Sequence, residues 1–455
     1  MEIPDDIRLA GGVPVTERRY VGAHGSTTQP SETSRDIPGA VRRAAVVIAL
    51  FAFAARVAAL VLFPEYVEML QRQKELRNTA ISLASTGDFA NPFSEPTGKT
   101  AHLAPLGPFI ISLIYRGFGI THRAEVVRGL ACAAVSATVC GMTLLLAFQL
   151  GFERRVQLLA GFLAAIAPTG LQFCSDLIET DAGLGTLFFI CALLAFPWKP
   201  GERREGVRAI LFGAASGLAI LSYQSLLTPV IGVLLCAVVL HRRMHFSLVA
   251  AIVVCLVILP WSLRNRFVFH EWVLVRSNFG LEFRLAQHPK GDQLGETLPL
   301  IHPYANARTL SLLRQAGEPA VYRGLLHDGL EWIRQNPKLF VQRTVLRIVL
   351  FWIPLGAGIH RTLASLVCTV AAFCGVKTLM RTDQRTSLTI ASIWLTYPLV
   401  YYLVPGYMRY RQPIEFTIYL MAALEIIAIL DALRTRQSFD RLPGVPGGIE
   451  NIARG

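Results

Sequence analysis

The chain has 455 residues, of which 53% are hydrophobic and 16% charged, with a mean hydropathy of +0.45. An ordinary soluble domain has about 25% charged residues, so this composition argues against one. The formal net charge of +13 does not indicate nucleic acid, because the Arg residues fall in short loops between apolar runs, where they encode membrane orientation.

Residues 1–43 are largely polar and rich in Pro, Gly, Ser and Thr, and read as a disordered cytoplasmic tail with no signal-peptide pattern. Ala44–Phe63 is the first run of about 20 apolar residues, the length a membrane helix needs. Its lone Arg56 requires a polar neighbour or a route to the interface. Further spans read at 128–149, 156–174, 180–197, 207–223, 225–240, 245–261, 361–379, 386–404 and 413–433. Two shorter apolar segments, 104–119 and 344–354, are ambiguous.

Arg and Lys positions resolve the ambiguity. With the N-terminus inside, the loops bearing Arg154–Arg155, Lys199–Arg208, Arg242–Arg243 and Lys377–Arg385 fall inside only if neither short segment crosses. The expectation is therefore an all-α polytopic membrane protein. It has about ten crossings, interfacial helices on the outer face, outer loops 64–127 and 262–360, and a cytoplasmic tail at 434–455. Segment 70–86 reads as an amphipathic helix ending at Gly87, with Leu76, Ala80, Leu83 and Ala84 as its apolar stripe. The eight cysteines sit in or beside apolar runs without a CxxC pair and read as small packing residues.

Polar groups in the outer loops are the candidates for chemistry. Glu75 could act as a general base near the low-dielectric boundary, with Glu65 and Glu68 as competitors; the plain alternative is a solvated face residue. Ser175–Asp181 puts three carboxylates between two spans. Glu179 and Asp181 could bind a sugar or a divalent cation, or could simply favour a helix start. Arg264 and Asn265 follow Trp261 where a span leaves the bilayer. There Arg264 could grip a phosphate, or the group could be an interfacial anchor. Arg409 and Arg411 precede the last span on the outer side, against the positive-inside tendency, which suits a lipid-linked phosphate. Lys99 and His102 add further candidate substrate contacts, although a lone His is more often a satisfied polar residue.

The stretches Glu75–Phe93, Thr97–Gly119, Leu259–Leu285 and Tyr410–Glu415, with HPYANARTLSLLRQAGEPAVY and EWIRQNPKLF, resemble GT-C fold polyprenyl-phosphate-sugar-dependent glycosyltransferases. This superfamily includes protein O-mannosyltransferases and aminoarabinose transferases. The resemblance runs over most of 44–433. It implies an enzyme that moves a sugar from a polyprenyl phosphate to a hydroxyl, lipid, glycan or protein acceptor on the outer face of the cytoplasmic membrane. It also implies Glu75 as the catalytic carboxylate, Glu179 as the acidic residue of the second outer loop, and Arg264, Arg409 and Arg411 on phosphate. Asn278, within the third matching stretch, joins the substrate-binding candidates. The chain departs from the pattern in having no Asp between Ala44 and Thr86, and in placing His102 where relatives have an aromatic residue. The rival readings are a transporter or flippase, a non-catalytic scaffold, and another lipid-linked transferase of the O-antigen ligase kind.

Overall fold

The first helix begins where proline ends its usefulness. Pro38 precedes α1 (Gly39–Leu62), whose Ala- and Val-rich run gives it no polar side chain on most of its surface. The structure is a computed structural model. It describes residues 37–166, 179–199, 204–291, 294–353, 359–406 and 408–440. The expected tail residues 1–36 and 441–455, and Asp176 of the acidic loop, lie outside the described residues.

The regular elements of the described residues are all helices, with one isolated bridge between Ala90 and Lys99 as the only strand-like pairing among them. In chain order follow α2 (Glu65–Arg72), α3 (Lys74–Thr86), α4 (Leu106–Phe118), α5 (His122–Gln149), α6 (Arg154–Ile166), α7 (Thr180–Ala195), α8 (Glu205–Ser222) and α9 (Leu227–Val239). The chain continues through α10 (Met244–Phe269), α11 (Phe279–Ala286), α12 (Leu294–Ile301), α13 (Ala307–Ala316), α14 (Glu318–Gln335) and α15 (Pro337–Trp352). It closes with α16 (Ile359–Met380), α17 (Gln384–Thr396) and α18 (Gln412–Asp440).

Among the described residues six helices are long and apolar enough to cross a membrane: α1, α5, α8, α10, α16 and the stretch Arg409–Thr435 that includes most of α18. The other expected spans are helical but shorter. Helix α6 is described as far as Ile166, residues 167–178 lying outside the described residues, and α17 is continued by a 3-10 turn, Tyr397–Tyr402. The two segments read as non-crossing are also helices. At about 1.5 Å per residue, the 13 residues of α4 span about 20 Å, short of a hydrocarbon core of about 30 Å. The chain is a polytopic all-α membrane protein.

Helix pairs α1–α5, α7–α8, α8–α10 and α16–α18 pack most extensively. Small residues allow the approach: a Cβ at Gly217 would lie 2.6 Å from Val257, and one at Gly375 would lie 2.1 Å from the Met421 carbonyl. Arg56 finds its polar neighbours inside the bundle. It is fully buried and donates to the Ala52 and Ala165 carbonyls at 3.2 and 3.0 Å, joining α1 to α6.

The amphipathic segment differs from expectation at its start. Two helices meet at Gln73, which leaves helical geometry at ψ 66°, and α3 then ends at Gly87 in the left-handed region as expected. The break has a cause in the fold. Fully buried Arg128 on α5 donates to the Leu70 carbonyl at 3.2 Å and to the Gln73 side chain, so the carbonyl at the end of α2 serves tertiary structure. Glu125, also on α5, takes Arg77 at 3.0 Å and the Tyr115 hydroxyl at 2.7 Å. These two charges hold α2, α3 and α4 on the end of α5.

Candidate functional site at the loop layer

Glu75 occupies the first turn of α3. One carboxylate oxygen lies 3.3 Å from His102 Nε2 and the other 3.3 Å from His302 Nε2. Three loop segments far apart in sequence therefore meet on one carboxylate. Glu65 and Glu68 do not compete for the place: both are exposed on α2, and Glu68 pairs with Arg72.

Each imidazole is held from behind. His102 is buried, and its Nδ1 is 2.9 Å from the Tyr322 hydroxyl on α14. Its backbone amide donates to Thr100 Oγ1 at 2.9 Å, and its carbonyl accepts from Arg276 Nε at 3.0 Å. Glu318, at the first position of α14, binds the Ala101 amide at 2.9 Å and accepts from the Thr100 and Ser277 hydroxyls, which ties the 100–102 segment to α14. The Phe93 ring lies edge-on to both imidazoles at 5.1 and 6.2 Å. His302 Nδ1 accepts the Tyr304 amide at 3.2 Å, so Nε2 carries the proton and donates to Glu75.

The electrostatic result is specific. Burial would raise the Glu75 pKa, but His102, His302 and Arg276 outweigh it and bring it down to about 2. Burial pushes His302 down despite Glu75, so its imidazole is favoured neutral. Burial, with the nearby carboxylates, pushes Tyr322 well up and keeps its proton in place. A carboxylate held ionised so firmly is a poor proton acceptor near neutral pH, where an efficient base has a pKa close to the working pH. It is suited to orienting a hydroxyl or a cation.

Among the described residues, Glu75, His102 and His302 are the group of three whose ligating atoms lie within 4.8 Å of one another. This is a different donor set from the expected Glu179 and Asp181. A carboxylate with two imidazoles suits zinc-like ions. The fit has one condition: His302 would give up the Nε2 proton that the Tyr304 contact favours. The Tyr322 hydroxyl can accept from His102 Nδ1 and leave Nε2 free for a metal.

Arg276 links this centre to a second polar group. Trp261, Ser262 and Asn265 at the end of α10 donate to the carbonyls of Val275, Leu274 and Val273 at 2.8, 2.7 and 3.0 Å. That grip fixes the segment leading into Arg276, whose amide donates to Gln224 Oε1 at 2.9 Å. The Arg276 charge acts on Glu75 and on Asp181. Asp181 lies in the first turn of α7, with Oδ1 buried and without a hydrogen bond. It fits only because position 107 is glycine: a Cβ there would lie 1.4 Å from Oδ1. Glu179, at the N-cap of α7, pairs with Arg409 at 3.3 Å, and the Arg409 side chain is 48% exposed. Beside Arg409, the Tyr401 and Tyr410 rings stack at 4.8 Å, and the Tyr401 hydroxyl bonds those of Tyr223 and Ser225 at 3.1 and 2.9 Å.

Other expected site residues are placed elsewhere or engaged otherwise. Arg264 donates to the Thr100 and Phe89 carbonyls at 2.7 and 3.0 Å and to Asn265, with Trp261 4.9 Å away, so its donors brace the loops. Asn265 holds backbone, and Asn278 contacts Glu282 at 3.4 Å. Lys99 is exposed and 3.7 Å from Asp88. The expected Arg409/Arg411 pair divides. Arg411 is buried against Glu415 and also donates to Ser365, Thr369 and the Trp352 carbonyl, joining α18 to α16 and α15. An arginine so engaged has no donor to offer a phosphate.

No family model and no curated protein matches the sequence. Solved structures do match. An oligosaccharyltransferase AglB from Archaeoglobus fulgidus, in complex with an inhibitory peptide and a dolichol-phosphate, aligns with a TM-score of 0.55 and 15% identity. The alignment covers 90% of this chain and 52% of that one, so the chain spans about half the length of the oligosaccharyltransferase. An Archaeoglobus fulgidus oligosaccharyltransferase in complex with Zn and sulfate aligns with a TM-score of 0.53 and 16% identity over 87% of this chain and 50% of that one. The chain has the GT-C fold. ArnT from Cupriavidus metallidurans, bound to undecaprenyl phosphate, also aligns, over 86% of this chain and 80% of that one at 16% identity, but its TM-score of 0.34 is too low to argue from. At these identities the likeness is one of fold.

Arg276 and His302 were not singled out from the sequence. Arg276 lies within the stretch that carried the GT-C resemblance, and His302 opens the HPYANA run. Neither stands out by spacing, because the groups they meet at this centre, His102 and Glu75, are more than 170 residues away.

Proposed function

We propose that the chain is a membrane glycosyltransferase that moves a sugar from a polyprenyl-phosphate donor to a hydroxyl acceptor at the loop layer, on the outer side of the cytoplasmic membrane. The observation that carries this reading is the Glu75 carboxylate, held ionised by two imidazoles and linked through Arg276 to the Asp181–Glu179–Arg409 group. The GT-C fold supports it, and the oligosaccharyltransferase of that fold was solved with dolichol-phosphate.

In the proposed reaction the acceptor oxygen attacks the anomeric carbon as the bond to the phosphate oxygen breaks, and the electron pair leaves with the phosphate. A single displacement inverts the anomeric centre. Arg276 and Arg409 stabilise the charge growing on that phosphate. Glu75 orients the acceptor hydroxyl, whose proton passes to the departing phosphate oxygen or to water. Glu179 and Asp181 bind the sugar, and the Tyr401–Tyr410 stack offers it an aromatic wall.

The test is transfer of a labelled sugar from a panel of polyprenyl phosphates by purified protein. Transfer lost in Glu75→Gln supports the reading. Movement of the intact donor across liposomes without sugar transfer would support the transporter or flippase reading, and refute this one.

A further inference from the structure

The opposite end of the bundle carries a second built feature, independent of the proposed transferase site. A cavity of about 380 Å³ is lined by Trp198, Lys199, Glu205, His241, Arg242, Arg243, Asp383 and Arg385. From Arg243, which precedes α10, to Arg264 near its end is about 30 Å of helix, the thickness of a hydrocarbon core. The cavity and the Glu75 layer therefore lie at opposite membrane faces. By the distribution of Arg and Lys, the cavity faces the cytoplasm.

Three loops that are separate in sequence converge there. The two acids are already engaged. Glu205 pairs with Arg243 at 3.0 Å, and Asp383 caps α17 through the Thr386 amide at 3.1 Å. His241 is tied to Thr389 at 3.1 Å. Arg242 and Arg385 are exposed, and their guanidinium groups make no hydrogen bond or ion pair among the described residues. Arg242 also holds its backbone at φ 59°, the left-handed region that costs a non-glycine residue strain and that concentrates at ligand sites. The turn between α9 and α10 thus keeps a long cation in a conformation that glycine or asparagine would occupy more easily. The cavity is within the size range of small-molecule sites, about 300–1,000 Å³.

We infer that this cavity binds a phosphate group, presented by the headgroup of an anionic phospholipid or by a soluble phosphate, with Arg242 and Arg385 as its principal ligands. Planar guanidinium groups match phosphate oxygens, and the cytoplasmic leaflet presents anionic headgroups to this face.

The experiment is native mass spectrometry of the full chain released from detergent, titrated with phosphatidylglycerol, phosphatidylcholine or inorganic phosphate. The wild type should retain phosphatidylglycerol over phosphatidylcholine, and Arg242→Gln with Arg385→Gln should weaken that retention about tenfold. Arg385→Lys should keep most of it. Retention that millimolar phosphate displaces, together with phosphate binding alone, supports the soluble source; retention that phosphate leaves intact supports the lipid. Equal retention of both lipids with no phosphate adduct would overturn the proposal. So would Arg381→Gln costing as much as Arg385→Gln, because Arg381 is a nearby exposed cation that does not line the cavity.

Discussion

The two ends of this helical bundle differ in how much of their charge is paired. At the loop layer, carboxylates meet imidazoles and guanidinium groups from distant segments within hydrogen-bonding range: Glu75 with His102 and His302, Glu125 with Arg77, Glu179 with Arg409. At the other end, short turns leave Arg242 and Arg385 exposed around a cavity. The difference teaches that charge at a membrane face has two uses. Exposed cations are read as orienting the chain, whereas the partly buried Glu75 carboxylate is held where partners compensate its desolvation.

The largest effect should come from breaking a fully engaged charge. Arg411→Ala leaves Glu415 buried without its guanidinium and should cost about 3–5 kcal/mol, measured as loss of thermal stability in detergent. An unchanged melting temperature would remove Arg411 from the structural class and return it to the ligand-binding candidates.

Next is Glu75→Gln, which keeps the shape and removes the charge. Transfer should fall about 10²–10³-fold, the usual loss for one preorganised electrostatic group. The pH dependence gives a separate check. The folded pKa of Glu75 lies below its ordinary 4.5, so its stabilisation is complete above pH 4.5 and is lost as pH falls toward about 2. Wild-type stability should slope over that window, and Glu75→Gln should lose that part of the slope. His302→Ala removes one of the compensating imidazoles and should move the window upward.

A smaller effect separates Arg264 from Arg409. Arg264→Gln should lower stability by about 1–3 kcal/mol through its lost carbonyl contacts and leave the KM for donor unchanged. Arg409→Gln should raise that KM with little change in melting temperature. The reverse pattern would exchange their roles. The smallest expected change is a rise of a few degrees in melting temperature with Zn2+, absent in His102→Ala. A rise of equal size in the variant would place the ion elsewhere.

The helices were legible because a bilayer imposes a length and a composition on each span, and because Gly87 marks the end of α3. Glu75 and His102 were legible as polar residues in the long loop after α1, but not as partners. Arg264 and Arg411 looked like phosphate ligands for a good chemical reason, since an arginine at a membrane boundary needs an anion or acceptors. Sequence spacing carries no information on whether backbone carbonyls and Glu415 already supply them. Arg276 and His302 escaped notice because their signal is three-dimensional: Arg276 is aimed by the grip of Trp261, Ser262 and Asn265 on 273–275.

Sequence alone thus determined that this is a polytopic helical protein with its candidate chemistry in the loops after α1 and α10, because apolar length and Arg distribution are local properties. Only the tertiary structure decided which charges are structural and which remain available. It alone brought Glu75 between two histidines, because pairing depends on where loops more than 25 to 220 residues apart come to rest.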